Sequence, residues 1–204
     1  MSITNKIKSS PELRRLVMFL ITPGDRPRPR WYIRHVVNRF FHFKGKNALI
    51  RASARMDVFP YKKFSLGKNS TIESFCVVNN GAGDVMIGDN ARVGIGTVII
   101  GPVKMGHGSG TGQHVFISGF NHGYKDGTQN SKYQPLDLRP VVIEDEAHIG
   151  ANSAVLPGIT IGKRSQIGAG SVVTKNIPPY SIAVGNPCRV IKRFNFDTNL
   201  WENV

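Results

Sequence analysis

The sequence predicts an all-β fold made of stacked six-residue repeats, and three observations support this prediction. An aliphatic residue returns at every sixth position, most regularly between residues 140 and 186. This period fits neither an amphipathic helix nor an ordinary strand, which repeat every 3.6 and 2 residues. Glycine often follows the aliphatic residue, and the fifth position is mostly small or β-branched. Each repeat is therefore expected to supply one inward side chain to a shared, narrow interior.

The repeat can be followed through most of the chain. Of fifteen starting positions, fourteen are aliphatic and Thr111 is the exception. They are Leu66, Ile72, Val78, Ile87, Val93, Ile99, Met105, Thr111, Ile117, Ile143, Ile149, Val155, Ile161, Ile167 and Val173. We expect the glycines that follow them to provide the permissive dihedral angles of tight corners.

Composition points to one compact domain in a reducing compartment. The chain has 204 residues, of which 40% are hydrophobic, enough for a sizeable core. Cys76 and Cys188 match no metal-binding or redox spacing. The longest apolar run near the N-terminus, residues 16–21, is far shorter than the ~20 residues that span a bilayer. These features predict a cytoplasmic protein.

Positive charge is concentrated at the N-terminus. The net charge is +14, and residues 1–68 contain sixteen Lys and Arg against three acidic residues, or +13. Residues 69–204 contain eleven against ten, or +1. The chain is thus predicted to have a basic segment, 1–65, followed by a near-neutral body. Such asymmetry is typical of contact with nucleic acid, an anionic membrane or an acidic substrate.

The basic segment is predicted to be partly helical. Residues 11–21 suit a short helix with Ser10 as its N-cap and Pro11 in its first turn, and residues 25–30 break it. Residues 31–43 interleave apolar and basic side chains and predict a second, amphipathic helix. Two interpretations remain open: the helix packs over one end of the body, or it contacts acidic lipid head groups at the inner face of the membrane. No nucleic-acid recognition motif is present, so no nucleic-acid partner is expected.

The C-terminal stretch IGANSAVLPGITIGKRSQIGAGSVVTKNIPPYSIAVGNPCRVIKR resembles hexapeptide-repeat acyltransferases. It is most similar to the sugar O-acetyltransferases, which include galactoside and maltose acetyltransferases and enzymes of surface polysaccharides. The resemblance implies a left-handed parallel β-helix with three repeats per coil, here over residues 66–193, and association into a homotrimer. Five coils can be counted, with the uneven region 46–65 as a candidate distorted sixth, and residues 194–204 form a tail.

One long loop interrupts the repeat and carries the candidate catalytic residue. Residues 119–142 leave the repeat between Ile117 and Ile143, and long loops on rigid folds are common functional sites. At the root of this loop stands His122, where the family keeps its catalytic histidine. An imidazole with an ordinary pKa near ~6.5 can remove a hydroxyl proton at neutral pH. Acetyl-CoA is already activated, so direct attack on the thioester needs no acyl-enzyme.

The resemblance also implies a set of residues that bind acetyl-CoA, the acetyl donor. Family members use backbone groups at the corners and basic residues near the C-terminus. The matching positions are Ala151, Ala169, Thr174, Lys175, Arg189 and Lys192. The alternative for each cation is an ordinary solvated charge. His148 occupies a position where relatives often have Trp beside the cofactor.

Candidate acceptor residues are fewer. Asn79 and Asn80 lie about two coils before His122 and suit hydrogen bonds to sugar hydroxyls, although corner asparagines are at least as often turn formers. Tyr124 suits stacking on a sugar ring, or it packs the loop.

The favoured function is an acetyl-CoA-dependent O-acetyltransferase acting on a sugar in surface polysaccharide or lipopolysaccharide biosynthesis. N-acetylation of an amino sugar or antibiotic is the alternative within the same fold. A zinc hydratase would need histidines spaced differently from His107, His114 and His122, so no metal is expected. His122, the loop and the coenzyme A motif argue against a catalytically silent scaffold.

Overall fold

The computed structural model describes residues 9–24 and 28–204, so part of the predicted break at 25–30 lies outside the described residues. From Phe43 onward the chain forms a β-solenoid of six coils. Each coil contributes one short strand to each of three sheets, A, B and C, and strands of successive coils pair in parallel. The predicted all-β fold of stacked hexapeptide repeats is confirmed.

The three sheets are built from every third strand. Sheet A contains β1 (Phe43–Lys44), β4 (Phe64–Leu66), β7 (Val85–Ile87), β10 (Val103–Met105), β15 (Val141–Ile143) and β18 (Thr160–Ile161). Sheet C contains β3 (Arg55–Asp57), β6 (Val77–Asn79), β9 (Val98–Ile100), β12 (Phe116–Ser118), β17 (Ala154–Val155) and β20 (Val172–Val173).

Sheet B is longer than the other two. Its parallel part contains β2 (Leu49–Ile50), β5 (Thr71–Ile72), β8 (Arg92–Val93), β11 (Gly110–Thr111), β16 (His148–Ile149), β19 (Gln166–Ile167) and β21 (Ser181–Val184). The antiparallel strands β22 (Arg189–Asn195) and β23 (Leu200–Asn203) then extend it. The predicted tail at 194–204 is therefore half of a hairpin, in which Phe194 packs edge-on against Trp201 at 5.4 Å.

The aliphatic positions of the repeat form the interior. None of the fifteen is more than 4% exposed. Thr111, the polar exception, is satisfied there because its Oγ1 accepts a hydrogen bond from the Gly94 amide at 2.9 Å. The small residues at the fifth position are buried too, and their hydroxyls bond corner carbonyls, as from Ser70 Oγ to Gly88 O at 2.7 Å. Stacking thus satisfies both the apolar and the polar requirements of a closed interior.

The prediction that the corner glycines provide permissive dihedral angles is wrong. The glycines directly after the aliphatic positions do not have positive φ. They are required by close approach, since a Cβ at Gly94 would lie 2.2 Å from Gly112 O of the next coil. Positive φ occurs two residues later, where asparagine is common, as at Asn69, Asn90 and Asn152. Asparagine tolerates this left-handed region better than most residues.

The solenoid begins earlier than the predicted boundary at residue 66. The irregular region forms a complete sixth coil, with Lys44, Ile50 and Met56 in register with Leu66, Ile72 and Val78. Two features hide this coil from the repeat count. Lys44 is not aliphatic, and the six-residue segment 58–63 shifts the phase before β4.

Two helical segments precede the solenoid. Helix α1 (Pro11–Ile21) begins at the predicted N-cap, where Ser10 Oγ accepts from the Leu13 amide at 3.2 Å, and it has no buried residue. The second predicted helix consists of a π-helical turn (Ile33–Val37) and helix α2 (Asn38–Phe41). It ends before Phe43 because Phe43 pairs with Ser65 as part of β1. Among the described residues, no helix is long and apolar enough to cross a membrane.

The second helical segment packs over the open end of coil 1. Asn38 Nδ2 donates to Val58 O at 2.7 Å, and the His42 ring meets Phe64 edge-on at 5.9 Å. Helix α1 is tied to this segment, since the Arg30 amide donates to Ile21 O at 2.9 Å. This arrangement agrees with the interpretation that the helices cover one end of the body.

Candidate active site

One corner of the solenoid collects the irregular segments of the chain. We call it the C–A corner, because it joins each strand of sheet C to the next strand of sheet A. Its segments are 58–63, 80–84, 101–102, 119–140, 156–159 and 174–176. The long loop leaves the solenoid here, between coils 4 and 5.

The root of the loop is held by a short hairpin. Strand β13 (Phe120–Asn121) pairs antiparallel with β14 (Asp137–Leu138), and a 3-10 turn (Ser131–Tyr133) lies between them. Gly119 connects the hairpin to the solenoid. Its amide donates to Ile100 O at 2.8 Å, and its carbonyl accepts from the Arg139 amide at 2.8 Å. Both ends of the loop are therefore fixed to coil 4.

His122 directly follows β13 at this fixed root. Its side chain is exposed, and its ring packs edge-on against Phe120 with centroids 5.5 Å apart. The chain turns back at Gly123, where a Cβ would lie 2.5 Å from Gln134 Cβ. Gln134 in turn bonds the loop backbone, donating to Asp126 O and Gln129 O at 2.9 Å. The imidazole is thus accessible, while the backbone that carries it is constrained.

Two cavities are lined by close neighbours of His122, although His122 itself lines neither of them. The first, about 320 Å³, is lined by Phe59, Tyr61, Asn79, Gly81, Ala82, Ile100 and Phe120. The second, about 270 Å³, is lined by Gly123, Tyr124, Lys125, Gln134, Pro135, Leu136 and Asp137. Phe120 belongs to the first wall and touches the His122 ring. Gly123, which follows His122 in the chain, belongs to the wall of the second cavity.

The first cavity combines aromatic faces with a polar edge. Phe59 and Tyr61 stack with centroids 5.3 Å apart, and burial raises the pKa of the Tyr61 phenol, which keeps it protonated as a donor at neutral pH. Apolar walls with a few polar groups are typical of small-molecule sites, and aromatic faces suit the apolar faces of sugar rings.

The two predicted acceptor asparagines have different environments. Asn80 is fully buried, and its amide is used by the neighbouring corner segment: Oδ1 accepts from the Phe59 amide at 2.7 Å, and Nδ2 donates to Phe59 O and Lys62 O, both at 3.0 Å. It therefore positions residues 59–62 rather than facing a ligand. Asn79 lines the cavity, and its Oδ1 accepts from the Gly81 amide at 2.7 Å. Asn79 therefore remains a candidate for contact with the sugar acceptor, and Asn80 does not.

The six predicted coenzyme residues fall into separate groups. Ala151 and Ala169 stack at the corner between sheets B and C, where a Cβ on Gly150 would be 2.5 Å from the Ala169 amide nitrogen. Thr174 and Lys175 are exposed on the C–A corner, the same corner as His122. Arg189 and Lys192 lie on β22, and Arg189 is exposed. Within one chain, these groups do not converge on a single pocket.

The remaining histidines stand apart from this site. His148 is on the outer face of sheet B and lines a cavity of about 320 Å³ with Glu73 and Arg92. His107 is bonded at a different corner, where its Nδ1 accepts from the Asp89 amide at 3.1 Å. In the described part of the chain, no three His, Cys, Asp or Glu side chains are placed to hold a metal ion.

Sequence reasoning missed the aromatic wall. Phe59, Tyr61 and Phe120 come from two C–A corner segments that are far apart in the chain. A signal was present, since these aromatics lie inside insertions that interrupt the six-residue period. Only the stacking of coils shows that the insertions meet.

Comparisons with known proteins agree with the fold and the repeat. Residues 140–175 match the family described as hexapeptide repeat of succinyl-transferase. A protein of Escherichia coli strain K12, WbbJ, provisionally named as a lipopolysaccharide biosynthesis O-acetyl transferase, is 31% identical over 150 residues. That match covers 69% of this chain and 74% of WbbJ. A provisionally named acetyltransferase of Staphylococcus aureus strain COL is 57% identical over 58 residues, 28% of this chain and 29% of the relative's length.

Solved structures give the same picture. A maltose O-acetyltransferase from Clostridium difficile is 30% identical, with a TM-score of 0.54 over 94% of this chain and 88% of that one. AntD, an N-acyltransferase from Bacillus cereus, has a TM-score of 0.68 over 81% of this chain and 91% of its own, but at 24% identity it supports the fold alone. On the strength of the WbbJ match and the repeat, the chain belongs to the hexapeptide-repeat acetyltransferase family.

Proposed function

We propose that this protein transfers an acetyl group from acetyl-CoA to a sugar hydroxyl, with His122 as the general base. The observation that carries the proposal is the position of His122. It stands exposed at a fixed loop root on the C–A corner, in contact with Phe120 and next to Gly123, each of which lines a cavity. The E. coli and C. difficile proteins, whose names specify O-acetyl transfer, favour oxygen as the acceptor atom.

The chemistry requires one proton transfer at each stage. The His122 imidazole removes the hydroxyl proton as the sugar oxygen attacks the thioester carbonyl. The tetrahedral intermediate then collapses, the carbon–sulfur bond breaks, and the imidazolium returns the proton to the departing thiolate. The packing of Phe120 against the ring limits its orientations and so reduces the entropy lost in reaching the reactive geometry.

The acceptor is proposed to occupy the cavity of Phe59, Tyr61, Asn79 and Phe120. The stacked pair of Phe59 and Tyr61 offers an apolar face, and Asn79 and the protonated Tyr61 offer hydrogen bonds to hydroxyls. Tyr124, which is 69% exposed, lines the second cavity and is proposed to contact the part of the substrate that extends into it.

The donor site is proposed to form between copies of the chain in a homotrimer. In sheet C the outward residue just before each inward one is apolar in five successive coils, namely Val77, Val98, Phe116, Ala154 and Val172. Sheet C is bordered by the corner between sheets B and C and by the C–A corner. If this sheet packs around a threefold axis, the first corner of one copy lies against the second corner of the next copy. Ala151 and Ala169 of one copy would then face Thr174, Lys175 and His122 of the next. The separation of the coenzyme residues within one chain is consistent with such a site.

The basic N-terminal segment is proposed to hold the protein against the inner face of an anionic membrane. Helix α1 exposes Leu16, Phe19 and Leu20 by 49–60%, so the chain leaves much of its apolar surface uncovered. Cations near an anionic surface contribute ~1 kcal/mol each. Sedimentation with anionic vesicles, lost in high salt, is the expected result. Equal recovery with neutral vesicles at low salt would contradict it.

The proposed activity is tested by thiol release from acetyl-CoA with a panel of sugars, amino sugars and nucleotide- or lipid-linked forms. Stimulation by at least one hydroxyl acceptor supports sugar O-acetyl transfer. Stimulation only by acceptors with a free amine would instead favour N-acetyl transfer. No stimulation by any acceptor, from protein shown to be folded, would contradict both.

A further inference from the structure

A cavity of about 460 Å³ lies at the N-terminal end of the solenoid, between the second helical segment and coil 1. It is lined by Arg34, Asn38, Arg39, His42, Phe43, Lys44, Ile50, Met56, Val58 and Phe64. Its volume is within the range of small-molecule sites. It shares no lining residue with either of the two cavities near His122.

The floor of this cavity is the end of the solenoid interior. Ile50 and Met56 occupy inward positions of coil 1, in register with Ile72 and Val78. In coils 2 to 5 these positions have a coil on both sides, but coil 1 has a coil on one side only. The helical segment covers the end incompletely, because Ile50 and Met56 remain partly exposed whereas Ile72 and Val78 are fully buried. The floor therefore offers apolar surface to a ligand.

The rim of the cavity is cationic. Arg34, Arg39 and Lys44 line it together with His42, and no lining residue is acidic. Among residues 9–24 and 28–204, none of these three cations takes part in an ion pair. Asp57, the acidic residue of β3, pairs with Arg55 at 2.7 Å and Arg28 at 3.6 Å. Asp57 also lies close enough to Arg34 to favour its charged form, but no carboxylate of the described residues forms an ion pair with any of the three rim cations.

The wall of the cavity also contains polar atoms that the described chain does not satisfy. Arg34 Nε and Asn38 Oδ1 are buried without a hydrogen-bond partner, and the ring nitrogens of His42 make no hydrogen bond of standard geometry, although the Phe41 backbone is close enough to act on the ring. Burial lowers the pKa of the His42 imidazole, so this ring is expected to be neutral near pH 7. Unpaired buried polar groups cost stability, and folding alone gives no reason for several of them at one place.

We propose that this cavity binds a membrane lipid that carries a phosphate group. The phosphate lies among Arg34, Arg39 and Lys44, whose charges it neutralises, and the first part of the apolar chain lies on Ile50, Met56 and Phe64. Guanidinium groups are well suited to phosphate because they donate in a planar fork. A free inorganic anion would use the rim and leave the apolar floor uncovered, whereas a lipid phosphate uses both.

The surroundings of the cavity favour a lipid that stays in its membrane. Phe43 lines the cavity, Phe40 and Phe41 lie in the chain between the lining residues Arg39 and His42, and the three phenylalanines are 60–83% exposed. Aromatic side chains are favourable at a membrane interface, where one part of the ring meets acyl chains. The inference deepens the proposed membrane contact by naming a lipid, and it does not depend on acetyl transfer.

Titration calorimetry with monomeric octyl phosphate tests the site without a membrane. We expect octyl phosphate to bind at least tenfold more tightly than inorganic phosphate or octyl glucoside, which offer only the head or only the tail. Equal affinity for inorganic phosphate would overturn the apolar part of the site. Equal affinity for octyl glucoside would overturn the cationic part.

Matched variants locate the site. Lys44→Gln removes a rim cation and should weaken octyl phosphate binding about tenfold, the usual scale of one charge-assisted contact. Lys46→Gln, two residues away but outside the lining, should leave binding unchanged. Ile50→Phe should fill the floor and abolish binding, and Leu49→Phe, which points outward, should not. Equal effects of the two variants in either pair would contradict the assignment.

Vesicles distinguish a membrane lipid from a soluble phosphate ester. Phosphatidic acid vesicles should recover wild type and Lys46→Gln more efficiently than Lys44→Gln at the same salt concentration. If Lys44→Gln and Lys46→Gln lose vesicle binding equally while only Lys44→Gln loses octyl phosphate, the lipid assignment is wrong and the ligand is a soluble ester.

Discussion

The interior of the solenoid and its C–A corner are made by the same strands but follow different rules. From Leu66 to Val173 the fifteen inward positions of the repeat are at most 4% exposed, so each coil covers the next. At the C–A corner, three segments depart from the repeat: 58–63, 80–84 and 119–140. The first of these segments contains Tyr61, the second contains Asn80 with its hydrogen bonds to residues 59–62, and the third contains His122. The interior therefore stabilises the fold, and the irregular corner segments provide the candidate chemistry.

This separation predicts that the largest effect on activity comes from a residue that contributes little to stability. His122→Ala should lower turnover by about 10² to 10⁴, the scale of losing a general base, without changing the unfolding midpoint. His35→Ala, an exposed histidine of the second helical segment, is the control and should retain activity. Steady-state kinetics with acetyl-CoA and an active acceptor provide the measurement. Unchanged turnover in His122→Ala would remove this residue from the mechanism.

The interior should show the opposite behaviour. Ile99→Ala removes a fully buried side chain between stacked coils and should lower the free energy of unfolding by about 2–5 kcal/mol. Leu16→Ala in α1, where the side chain is 54% exposed, should change it by less than about 0.5 kcal/mol. Urea unfolding followed by circular dichroism compares the two. Similar losses would mean that α1 is part of the cooperative core.

The neighbouring residues Asn79 and Asn80 allow structural and binding roles to be compared directly. Asn80→Ala leaves the Phe59 amide and two carbonyls without their side-chain partners and should cost about 1–3 kcal/mol of stability. Asn79→Ala should leave stability nearly unchanged and raise the acceptor KM about tenfold, as expected for one lost hydrogen bond in a binding site. Equal stability losses in the two variants would show that Asn79 is also structural.

The coenzyme residues should have a smaller effect that appears only in binding. Arg189→Ala combined with Lys192→Ala should raise the KM for acetyl-CoA about tenfold and change the saturated turnover less than twofold. The reason is that contacts to phosphates are remote from the reacting carbonyl and act equally on the ground and transition states. Lys163→Ala, on another surface of the same coils, is the control. A normal coenzyme KM in the double variant would exclude these cations from the site.

The period predicted the interior well because one rule applies to every coil. It failed where local contacts replace that rule. Coil 1 was hidden by Lys44 and by the insertion at 58–63, and the corner glycines serve close approach rather than positive φ. His122 could be proposed as the catalytic residue from its place at the root of the loop. The separation of Asn79 from Asn80 could not, because it depends on which side chain meets the segment Phe59–Lys62, 21 and 18 residues earlier in the chain.

Acetyl-CoA labelled with ¹³C at the acetyl carbonyl tests the central claim most directly. Incubation with wild-type protein and an acceptor from the sugar panel, followed by NMR of the purified product, identifies the atom that receives the label. The account predicts a labelled ester on a sugar oxygen with wild type and little product with His122→Ala under the same conditions. A labelled amide as the only product would contradict O-acetyl transfer, and equal ester formation by both proteins would contradict the role of His122.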